Sequence, residues 1–510
     1  MNAADFLLGP EALAKHGERV ALICGKEAVT YSRLADDTAR AAAAYAALGV
    51  RPGDVVLLLM RDTPEFAAAW LGALHAGAVS IALNNKLSEA EYRHILRDSG
   101  ARLALVEDVF AGARPDLSAE LAQKSQLVVA GEASRMGAPS WGALLDRAQP
   151  GKAFAAPPGW PAFYLYSSGT TGPAKGIVHS HEAVRHVGAA LRMLGTRPGD
   201  KVFTTSRFFF AYGLEHGLLG PLSVGATSIV CADWPDADAV LDVVAAHRPK
   251  LLFSVPTVYR RLLAEPPPRL AAFRTLDYCI AAGERLSPQL VRQWKASTDV
   301  ELLSLYGMSE TFCACLVTPP GTSDGLRTGA PLPGMEWRLL GADNAPAQPG
   351  KPGVLWVKHP AQAAEYHNLP ERTRDQFKDG WFCTRDLFMQ DSDGQLIHQG
   401  RSDELVKIAG QWVLPSELEE AVAAAPQVIE AVCVPVPDRD GLERLAVFVI
   451  PRGDHDEAVR AAEQACERAL PRHKRPKWLR ALEQLPRTAT GKVQRYKLRE
   501  LLEQELNPPG

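Results

Sequence analysis

The sequence predicts an α/β protein, with a large N-terminal body of parallel α/β sheets, a small β unit and an α+β C-terminal domain. Short apolar runs of strand length alternate with Ala- and Leu-rich stretches of helical spacing through most of the 510 residues. This alternation is typical of parallel sheets that are covered by helices on both faces. After about Arg327, strands punctuated by Gly and Pro indicate a smaller and more antiparallel unit.

The first 131 residues contain four candidate strands, which read VALICGK, DVVLLLM, ARLALVED and SQLVVAG. Between them, Tyr31–Leu48 and Pro64–His75 have apolar residues near helical spacing. The uncharged stretch Phe66–Leu83 is rich in Ala and Gly and contains His75, whereas a membrane span needs about 20 predominantly apolar residues. We therefore expect a buried helix that leads into a strand. The same alternation recurs at Lys201–Cys231 and Lys250–Ala282.

The C-terminal part has a different order of elements. From about Glu404 the sequence predicts a short strand, a helix at Pro415–Ala425, the strands VIEAVCVPVPD and RLAVFVIP, and a helix across Ala458–Ala469. We place the domain boundary between residues 400 and 401, which gives a body of residues 1–400 and a C-terminal domain of residues 401–510.

Composition limits the classes of function. Lys and Arg number 56 against 59 Asp and Glu, and the net charge of −3 gives no general attraction to nucleic acid. The eight cysteines form no C-x-x-C pair, which argues against a zinc site and a disulfide scaffold. The N-terminal residues show no signal peptide. We therefore expect a cytoplasmic protein with reduced thiols and no membrane partner.

The strongest local signal is Tyr164–His181, which reads YLYSSGTTGPAKGIVHSH. A strand leads into a loop of glycines and hydroxyl residues with one lysine, a composition that suits a polyphosphate. It lacks the Gly-Lys-Ser/Thr of a Walker loop, which disfavours a P-loop phosphotransferase. The candidate nucleotide-binding residues of this loop are Ser167, Ser168, Gly169, Thr170, Thr171, Gly172 and Lys175.

This loop resembles the phosphate loop of the adenylate-forming superfamily, which includes acyl- and aryl-CoA synthetases, luciferases and adenylation domains. Further motifs of that superfamily follow in order, so the resemblance covers essentially the whole chain. It implies ATP, Mg²⁺ and coenzyme A as cofactors and co-substrates, and a C-terminal domain that is mobile.

Leu305–Thr311 reads LYGMSET and is similar to the superfamily's Tyr-Gly-x-Thr-Glu segment. The resemblance implies that Tyr306 lines the adenine and acid pockets, Ser309 contacts the α-phosphate and Glu310 holds Mg²⁺. A carboxylate beside a hydroxyl suits such a hard cation. Gly307 and Met308 complete this part of the nucleotide site. The AAGER segment adds Ala282 to the acid pocket, and Gly283, Glu284 and Arg285 to the nucleotide site.

Two further segments resemble the superfamily's ribose and hinge motifs. GWFCTRD carries Asp386 for the ribose hydroxyls, but Arg385 stands where the superfamily has Gly. GRSDELVKIAG carries Arg401 for ribose or phosphate, and Asp403 at the hinge of the mobile domain. The following Gly410, Gln411 and Trp412 resemble the loop that lines the coenzyme A tunnel.

Near the C-terminus, LPRTATGKVQRYK places Lys492 in a Thr-Gly-Lys context. The resemblance implies that this lysine bridges the acid carboxylate and the α-phosphate. Attack of a carboxylate on phosphorus brings two anions together, so a positive charge between them stabilises the transition state. The predicted catalytic residues are Lys492, Glu310 and Ser309.

The acid is indicated by RFFFAYG at Arg207–Gly213, which is similar to a segment of benzoate-type aryl-CoA ligases. Aromatic walls favour a flat ring, so we expect a benzoate-like acid bound by Phe209, Phe210, Ala211, Tyr212 and Gly213.

Other interpretations stay open at this point. A medium-chain fatty acid–CoA ligase or a carrier-protein loading enzyme would share the same motifs, although no carrier domain follows the C-terminal motif. A non-catalytic nucleotide-binding protein is an alternative of another class, and Arg385 is the feature in its favour. The sequence leaves the oligomeric state open, with a homodimer as one option.

Overall fold

The computed structural model describes residues 1–131, 138–169, 172–341, 343–408, 410–487 and 493–506. The chain divides into two compact units. The first comprises Met1–Arg338, Trp356–Cys383 and Gln390–Ile397, and the second comprises Leu339–Leu355, Thr384–Met389 and His398–Gly510. The functional domains 1–400 and 401–510 stay a prediction, since segments 339–355 and 384–389 group with the second unit.

The strands and helices follow the alternation predicted from the sequence. The strands are β1 (Val20–Cys24), β2 (Glu27–Thr30), β3 (Val55–Leu59), β4 (Val79–Ala82), β5 (Leu103–Glu107), β6 (Gln126–Ala130), β7 (Pro161–Gly169), β8 (Gly172–Ser180), β9 (Lys201–Thr204), β10 (Thr227–Val230), β11 (Leu251–Ser254), β12 (Tyr278–Ala281), β13 (Glu301–Tyr306), β14 (Leu316–Val317), β15 (Ala330–Pro331), β16 (Glu336–Leu340), β17 (Gly353–Lys358), β18 (Glu365–Tyr366), β19 (Phe377–Lys378), β20 (Trp381–Gln390), β21 (Leu396–Arg401), β22 (Val406–Ile408), β23 (Gln411–Val413), β24 (Val428–Pro437), β25 (Glu443–Pro451) and β26 (Trp478–Ala481). The α-helices are α1 (Ala3–Leu8), α2 (Pro10–His16), α3 (Tyr31–Ala47), α4 (Pro64–His75), α5 (Glu89–Ser99), α6 (Asp108–Ala113), α7 (Pro115–Lys124), α8 (Trp141–Arg147), α9 (Ala189–Met193), α10 (Ala211–Leu214), α11 (Gly220–Val224), α12 (Ala237–His247), α13 (Pro256–Leu262), α14 (Pro267–Leu270), α15 (Pro288–Thr298), α16 (Pro370–Gln376), α17 (Pro415–Ala423), α18 (His455–Ala469) and α19 (Arg495–Leu506).

Two large sheets form the first unit. One has nine strands in the order β15-β14-β13-β12-β11-β9-β10-β1-β2, and its neighbours from β13 to β1 run parallel. The other has seven strands in the order β18-β8-β7-β4-β3-β5-β6, with parallel pairs from β7 to β6. Strands such as β3, β4, β10 and β11 are buried at every residue. Burial on both faces confirms the predicted parallel α/β body.

The Ala-rich helices α3 and α4 pack closely in the core of this body. A Cβ added to Gly72 would lie 2.5 Å from the Cβ of Ala41, so the close approach requires a glycine at that position. The segment 66–83 forms most of the buried helix α4 followed by strand β4, as predicted. None of the helices in the described residues is both long enough and apolar enough to cross a membrane.

A five-stranded sheet follows in the sequence, in the order β16-β17-β20-β19 with β21 beside β20. It corresponds to the small β unit that the Gly- and Pro-punctuated strands predict. No disulfide joins any of the eight cysteines, all of which lie among the described residues.

The second unit contains the three-stranded sheet β24-β25-β26. Successive side chains of a strand point to opposite faces, and here both faces are covered. Cys433 and Val447 pack with the residues of α17 and α18 on one face. Val434 and Phe448 pack with Leu498 and Leu502 of α19 on the other. This is the predicted α+β arrangement.

Candidate active site

Three of the predicted segments begin at the same edge of the nine-stranded sheet. RFFFAYG follows β9, AAGER continues from β12, and LYGMSET continues from β13. Because β9, β12 and β13 all belong to the parallel part of this sheet, their carboxyl ends lie on one edge. Ligands of open α/β sheets bind at that edge, so the topology brings the predicted acid and nucleotide segments together.

The aromatic segment is held tightly against its own backbone. Gly213 lies in α10, where an added Cβ would be 2.1 Å from the carbonyl oxygen of Arg207. A larger residue therefore does not fit. Phe209 is 7% exposed, its ring centroid lies 4.5 Å from that of Phe210, and Ala211 is 9% exposed.

Tyr212 directs its hydroxyl group to the ends of two neighbouring strands. The hydroxyl oxygen lies 3.2 Å from the carbonyl oxygens of Ser254 and Ile280. These bonds fix the ring beside the end of β12, where Ala282 is buried. Tyr212 therefore offers a ligand its ring, while its hydroxyl is engaged with the backbone.

The AAGER segment makes a turn after β12. Gly283 has a φ of 83°, a left-handed conformation that glycine adopts without strain. The carboxylate of Glu284 accepts hydrogen bonds of 2.8 and 2.9 Å from the hydroxyl of Thr257. Glu284 and Arg285 are exposed at this edge.

The LYGMSET segment forms a closed loop after β13. The amide of Cys315 donates to the carbonyl oxygen of Tyr306, and the amide of Met308 donates to the hydroxyl of Thr311. His179 of β8 contacts the carbonyl oxygen of Ser309 through Nε2 at 2.8 Å. Burial lowers the pKa of His179 to about 4, so a neutral imidazole holds this loop. Gly307 is exposed, and Tyr306, Met308 and Ser309 are half-buried.

Glu310 is the centre of a buried polar cluster. Its Oε1 lies 2.7 Å from Nζ of Lys175 and accepts a 2.9 Å hydrogen bond from the hydroxyl of Tyr366. Nζ of Lys175 also lies 4.0 Å from the centroid of the Tyr366 ring, within range of a cation–π interaction. The Tyr366 hydroxyl contacts Gln376 as well.

This cluster keeps the Glu310 carboxylate ionised. Burial acts to raise the pKa of Glu310, but the charge of Lys175 and the hydrogen bonds from Lys175 and Tyr366 outweigh it. The pKa is therefore lowered from its ordinary value. An ionised carboxylate fits Mg²⁺, which takes one or two protein carboxylates together with substrate phosphates and water.

The phosphate segment is a β-hairpin rather than an open loop. Strands β7 and β8 pair antiparallel from Pro161↔Ser180 to Gly169↔Gly172, and Ser167 faces Lys175. Ladder bonding therefore engages backbone groups on both sides of positions 170 and 171, where the composition alone indicated a loop. Thr170 and Thr171 lie outside the described residues, as do the side chains at 168, 169 and 172.

The second unit contains the predicted ribose and hinge residues. Arg401 forms a bidentate ion pair with Asp403, in which Nε lies 2.8 Å from Oδ1 and Nη2 lies 2.9 Å from Oδ2. Burial acts to raise the pKa of Asp403, but the hydrogen bonds and charge of Arg401 outweigh it and lower the pKa. Asp386 is 6% exposed, and its Oδ1 lies 3.4 Å from Nη1 of Arg401. Lys492 lies outside the described residues.

Arg385 has a backbone conformation that glycine adopts more readily than other residues. Its φ is 61°, in the left-handed region. Such a conformation costs a non-glycine residue about 1–2 kcal/mol, and the hydroxyl of Ser402 donates to its carbonyl oxygen at 2.9 Å. Arg385 therefore occupies a backbone conformation in which a glycine would be unstrained.

The predicted coenzyme A residues form the tip of the β22–β23 hairpin. Gly410 has a φ of 84° and open space around its Cα. Gln411 is exposed, and Trp412 is 63% exposed. An exposed indole at a hairpin tip is available to a ligand.

Tyr366 and His179 were not among the site residues predicted from the sequence. Tyr366 lies in β18, 56 residues after Glu310, and β18 pairs with β8. No local motif marks the tyrosine, and only strand pairing brings it to the carboxylate. His179 falls within the segment we singled out for phosphate binding, but nothing in the sequence assigns it to the Ser309 loop.

Comparison with known proteins gives a consistent result along the chain. Residues 10–367 match the AMP-binding enzyme family, and residues 417–492 match the AMP-binding enzyme C-terminal domain. A 3-hydroxybenzoate–CoA ligase of Aromatoleum sp. (strain CIB) is 40% identical, and the alignment covers 98% of this chain and 97% of that protein.

Two solved structures share the fold. A benzoate CoA ligase from Burkholderia xenovorans LB400 has a TM-score of 0.88 and 32% identity, covering 98% of this chain and 100% of that one. An anthranilate CoA ligase in complex with anthranoyl-AMP has a TM-score of 0.90 and 29% identity, and the match covers 99% of this chain and 98% of that one. With both family matches in the predicted order, the chain belongs to the AMP-binding enzyme family.

Proposed function

We propose that this protein is an ATP-dependent aromatic acid–CoA ligase that forms an acyl-AMP intermediate and then a thioester, releasing AMP and pyrophosphate. The observation that carries the proposal is the aromatic segment Phe209–Gly213, fixed by the Tyr212 hydroxyl at the sheet edge where the LYGMSET loop also begins. The similar ligases of 3-hydroxybenzoate and benzoate support an aromatic acid of benzoate size.

In the first half-reaction, the acid carboxylate attacks the α-phosphorus of ATP and pyrophosphate leaves. Glu310 would hold Mg²⁺, which when bound neutralises phosphate charge. Lys175 is a second cation beside this carboxylate. Its ammonium group can bind the phosphates when Mg²⁺ takes its place beside Glu310. We assign Lys492 to the charge between carboxylate and α-phosphate, and Ser309 to the α-phosphate.

We assign nucleotide recognition to three segments and two single residues. The phosphates and adenine are assigned to Ser167–Lys175, Gly283–Arg285 and Tyr306–Met308, and the ribose is assigned to Asp386 and Arg401.

In the second half-reaction, the C-terminal domain turns about Asp403 and presents Gly410, Gln411 and Trp412 to coenzyme A. The thiol then attacks the acyl carbonyl and AMP leaves.

The alternatives differ in acid and acceptor. A fatty acid–[acyl-carrier-protein] ligase of Streptomyces coeruleorubidus is 29% identical, so a carrier thiol is the second candidate acceptor. The aromatic wall favours aryl over medium-chain alkyl acids. A non-catalytic role is disfavoured because Glu310 and Asp386 are present.

The test is acid-dependent pyrophosphate release with Mg·ATP, with and without coenzyme A. The acids are benzoate, 3- and 4-hydroxybenzoate, 2-aminobenzoate and hexanoate. We expect release with one or more aromatic acids and sustained turnover when coenzyme A is added. Release with hexanoate but with none of the aromatic acids would contradict the proposal, and so would no release with any of the five acids.

We also propose a cytoplasmic location and a homodimer. Fractionation of the native host and light scattering on the purified protein test these two points separately from activity.

A further inference from the structure

A buried ion pair lies at the base of the aromatic segment. Nε of Arg207 is 3.1 Å from Oδ2 of Asp62, and the two side chains are 3% and 5% exposed. The same carboxylate oxygen accepts a 3.0 Å hydrogen bond from the amide of Phe208. Asp62 is therefore bound both to the first side chain of the segment and to the backbone of its next residue.

The guanidinium of Arg207 also binds the end of a third strand. Its Nη1 donates at 2.8 Å to the carbonyl oxygens of Cys231 and Asp233, and its Nη2 donates at 2.5 Å to that of Ala232. These carbonyl groups follow β10 directly. Three backbone acceptors in a row match the fixed geometry of the guanidinium, which a lysine ammonium cannot reproduce.

The pair joins the carboxyl ends of strands in both large sheets. Asp62 lies three residues after β3 of the seven-stranded sheet, and Arg207 lies three residues after β9 of the nine-stranded sheet. The segment then turns on the backbone of Arg207, whose carbonyl oxygen accepts from the amide of Phe210 at 3.0 Å. The same carbonyl lies beneath Gly213. The position of the aromatic residues therefore depends on where Arg207 is held.

Stability alone is a weak reason for such a pair. Two charges lose their hydration on burial, and apolar residues of similar volume often stabilise a core as well or better. Burial raises the pKa of Asp62 to about 7, although the charge of Arg207 and the hydrogen bond from the Phe208 amide both act to lower it. Apolar residues could not form the hydrogen bond between Asp62 and the Phe208 amide, nor those between Arg207 and the three carbonyl groups.

We propose that Asp62 and Arg207 are positioning residues for acid binding: they set the place of Phe209, Phe210 and Tyr212 relative to the sheet edge. The inference rests on the proposed function, because it names residues that act on the acid through the aromatic segment. Neither side chain touches the acid itself.

Two variants test the proposal in the pyrophosphate-release assay with benzoate and 3-hydroxybenzoate. Asp62→Asn keeps the shape and an acceptor for the Phe208 amide but removes the charge. Arg207→Lys keeps the charge but cannot reach all three carbonyl groups. We expect both to raise the KM for the acid by about 10- to 100-fold, the size of effect that small misplacements produce, while the KM for ATP stays within about twofold of wild type.

Asp200→Asn is the matched control. Asp200 immediately precedes β9, at its other end, and its carboxylate lies 3.1 Å from Nζ of Lys250. This variant also removes one carboxylate charge that pairs with a cation, at the opposite end of β9 from Arg207, and we expect it to leave both KM values unchanged.

The outcomes separate this inference from the proposed function. A wild-type protein that releases no pyrophosphate with any acid would overturn both. The positioning role alone would be overturned if the wild type is active and the variants leave the KM for the acid unchanged. It would also be overturned if the variants raise the KM for ATP as much as the KM for the acid. If Asp62→Asn does not fold, Arg207→Lys decides: a smaller active fraction with unchanged KM values indicates a structural role only.

Discussion

Nζ of Lys175 and Oε1 of Glu310 lie 2.7 Å apart, and each side chain is 9% exposed. The sequence assigns the lysine to phosphate and the glutamate to Mg²⁺, and the fold makes them each other's counter-ion. The contact therefore joins the two predicted charge-binding residues directly.

Replacement of Glu310 tests the metal role. We expect Glu310→Gln to lower the rate of pyrophosphate release by about 100- to 1,000-fold, the range seen when a preorganised electrostatic group is removed. The dependence on Mg²⁺ should also move to higher concentration. Glu365→Gln is the control, since Glu365 precedes Tyr366 and is exposed. An unchanged Mg²⁺ dependence in Glu310→Gln would remove Glu310 from the metal site.

Tyr366 should influence the pH dependence of adenylation. Its hydroxyl helps to lower the pKa of Glu310, so Tyr366→Phe should raise that pKa. Activity that needs the carboxylate is lost as the pH falls through its pKa, and the acid limb of the pH profile should therefore move to higher pH. Tyr45→Phe is the control, because the buried Tyr45 hydroxyl binds the carbonyl oxygen of Ala69. A Tyr366→Phe profile that overlays wild type would show that the hydroxyl does not tune Glu310.

Tyr212 should affect the acid more than the nucleotide. Tyr212→Ala removes the ring, and we expect the KM for aryl acids to rise by about tenfold or more, equivalent to about 1.4 kcal/mol, with little change for ATP. Tyr212→Phe keeps the ring but loses the bonds to Ser254 and Ile280, so an intermediate effect is expected. Initial rates at varied acid and varied ATP give both constants, and an unchanged acid preference would exclude Tyr212 from the pocket.

Lys492 should separate the half-reactions. Lys492→Ala is expected to abolish adenylate formation and to leave thioester formation from a supplied acyl-AMP largely intact. The two steps are measured by pyrophosphate release and by thioester formation. Lys497→Ala, a lysine in α19 close to it in the sequence, controls for a general loss of charge. Equal loss of both half-reactions in Lys492→Ala would contradict its assignment.

Arg385 should be replaceable by glycine. Arg385→Gly relieves the left-handed strain, and we expect the free energy of unfolding to rise by up to about 1 kcal/mol. The KM for ATP should stay within about twofold, because glycine can adopt the same positive φ next to Asp386. Denaturant unfolding and ATP kinetics check both expectations, and a large gain in ATP affinity would show that Arg385 restricts the nucleotide site.

The motif segments could be predicted because each is contiguous and its residue types suit one chemistry. The predictions stopped where a function depends on residues distant in the sequence. Tyr366 reaches Glu310 only through the pairing of β18 with β8, and Asp62 reaches Arg207 only because the ends of β3 and β9 meet. Strand pairing between distant segments leaves no local pattern.

The amino-acid sequence by itself determined the α/β class, the order of the motifs and the family, because hydrophobic periodicity and short polar segments are local properties of the chain. The tertiary structure decided which charges neutralise one another, that the hydroxyl of Tyr212 contacts the backbone of Ser254 and Ile280, and that Arg385 has a positive φ. These depend on distances and dihedral angles that arise only after packing has buried the groups and removed water as an alternative partner.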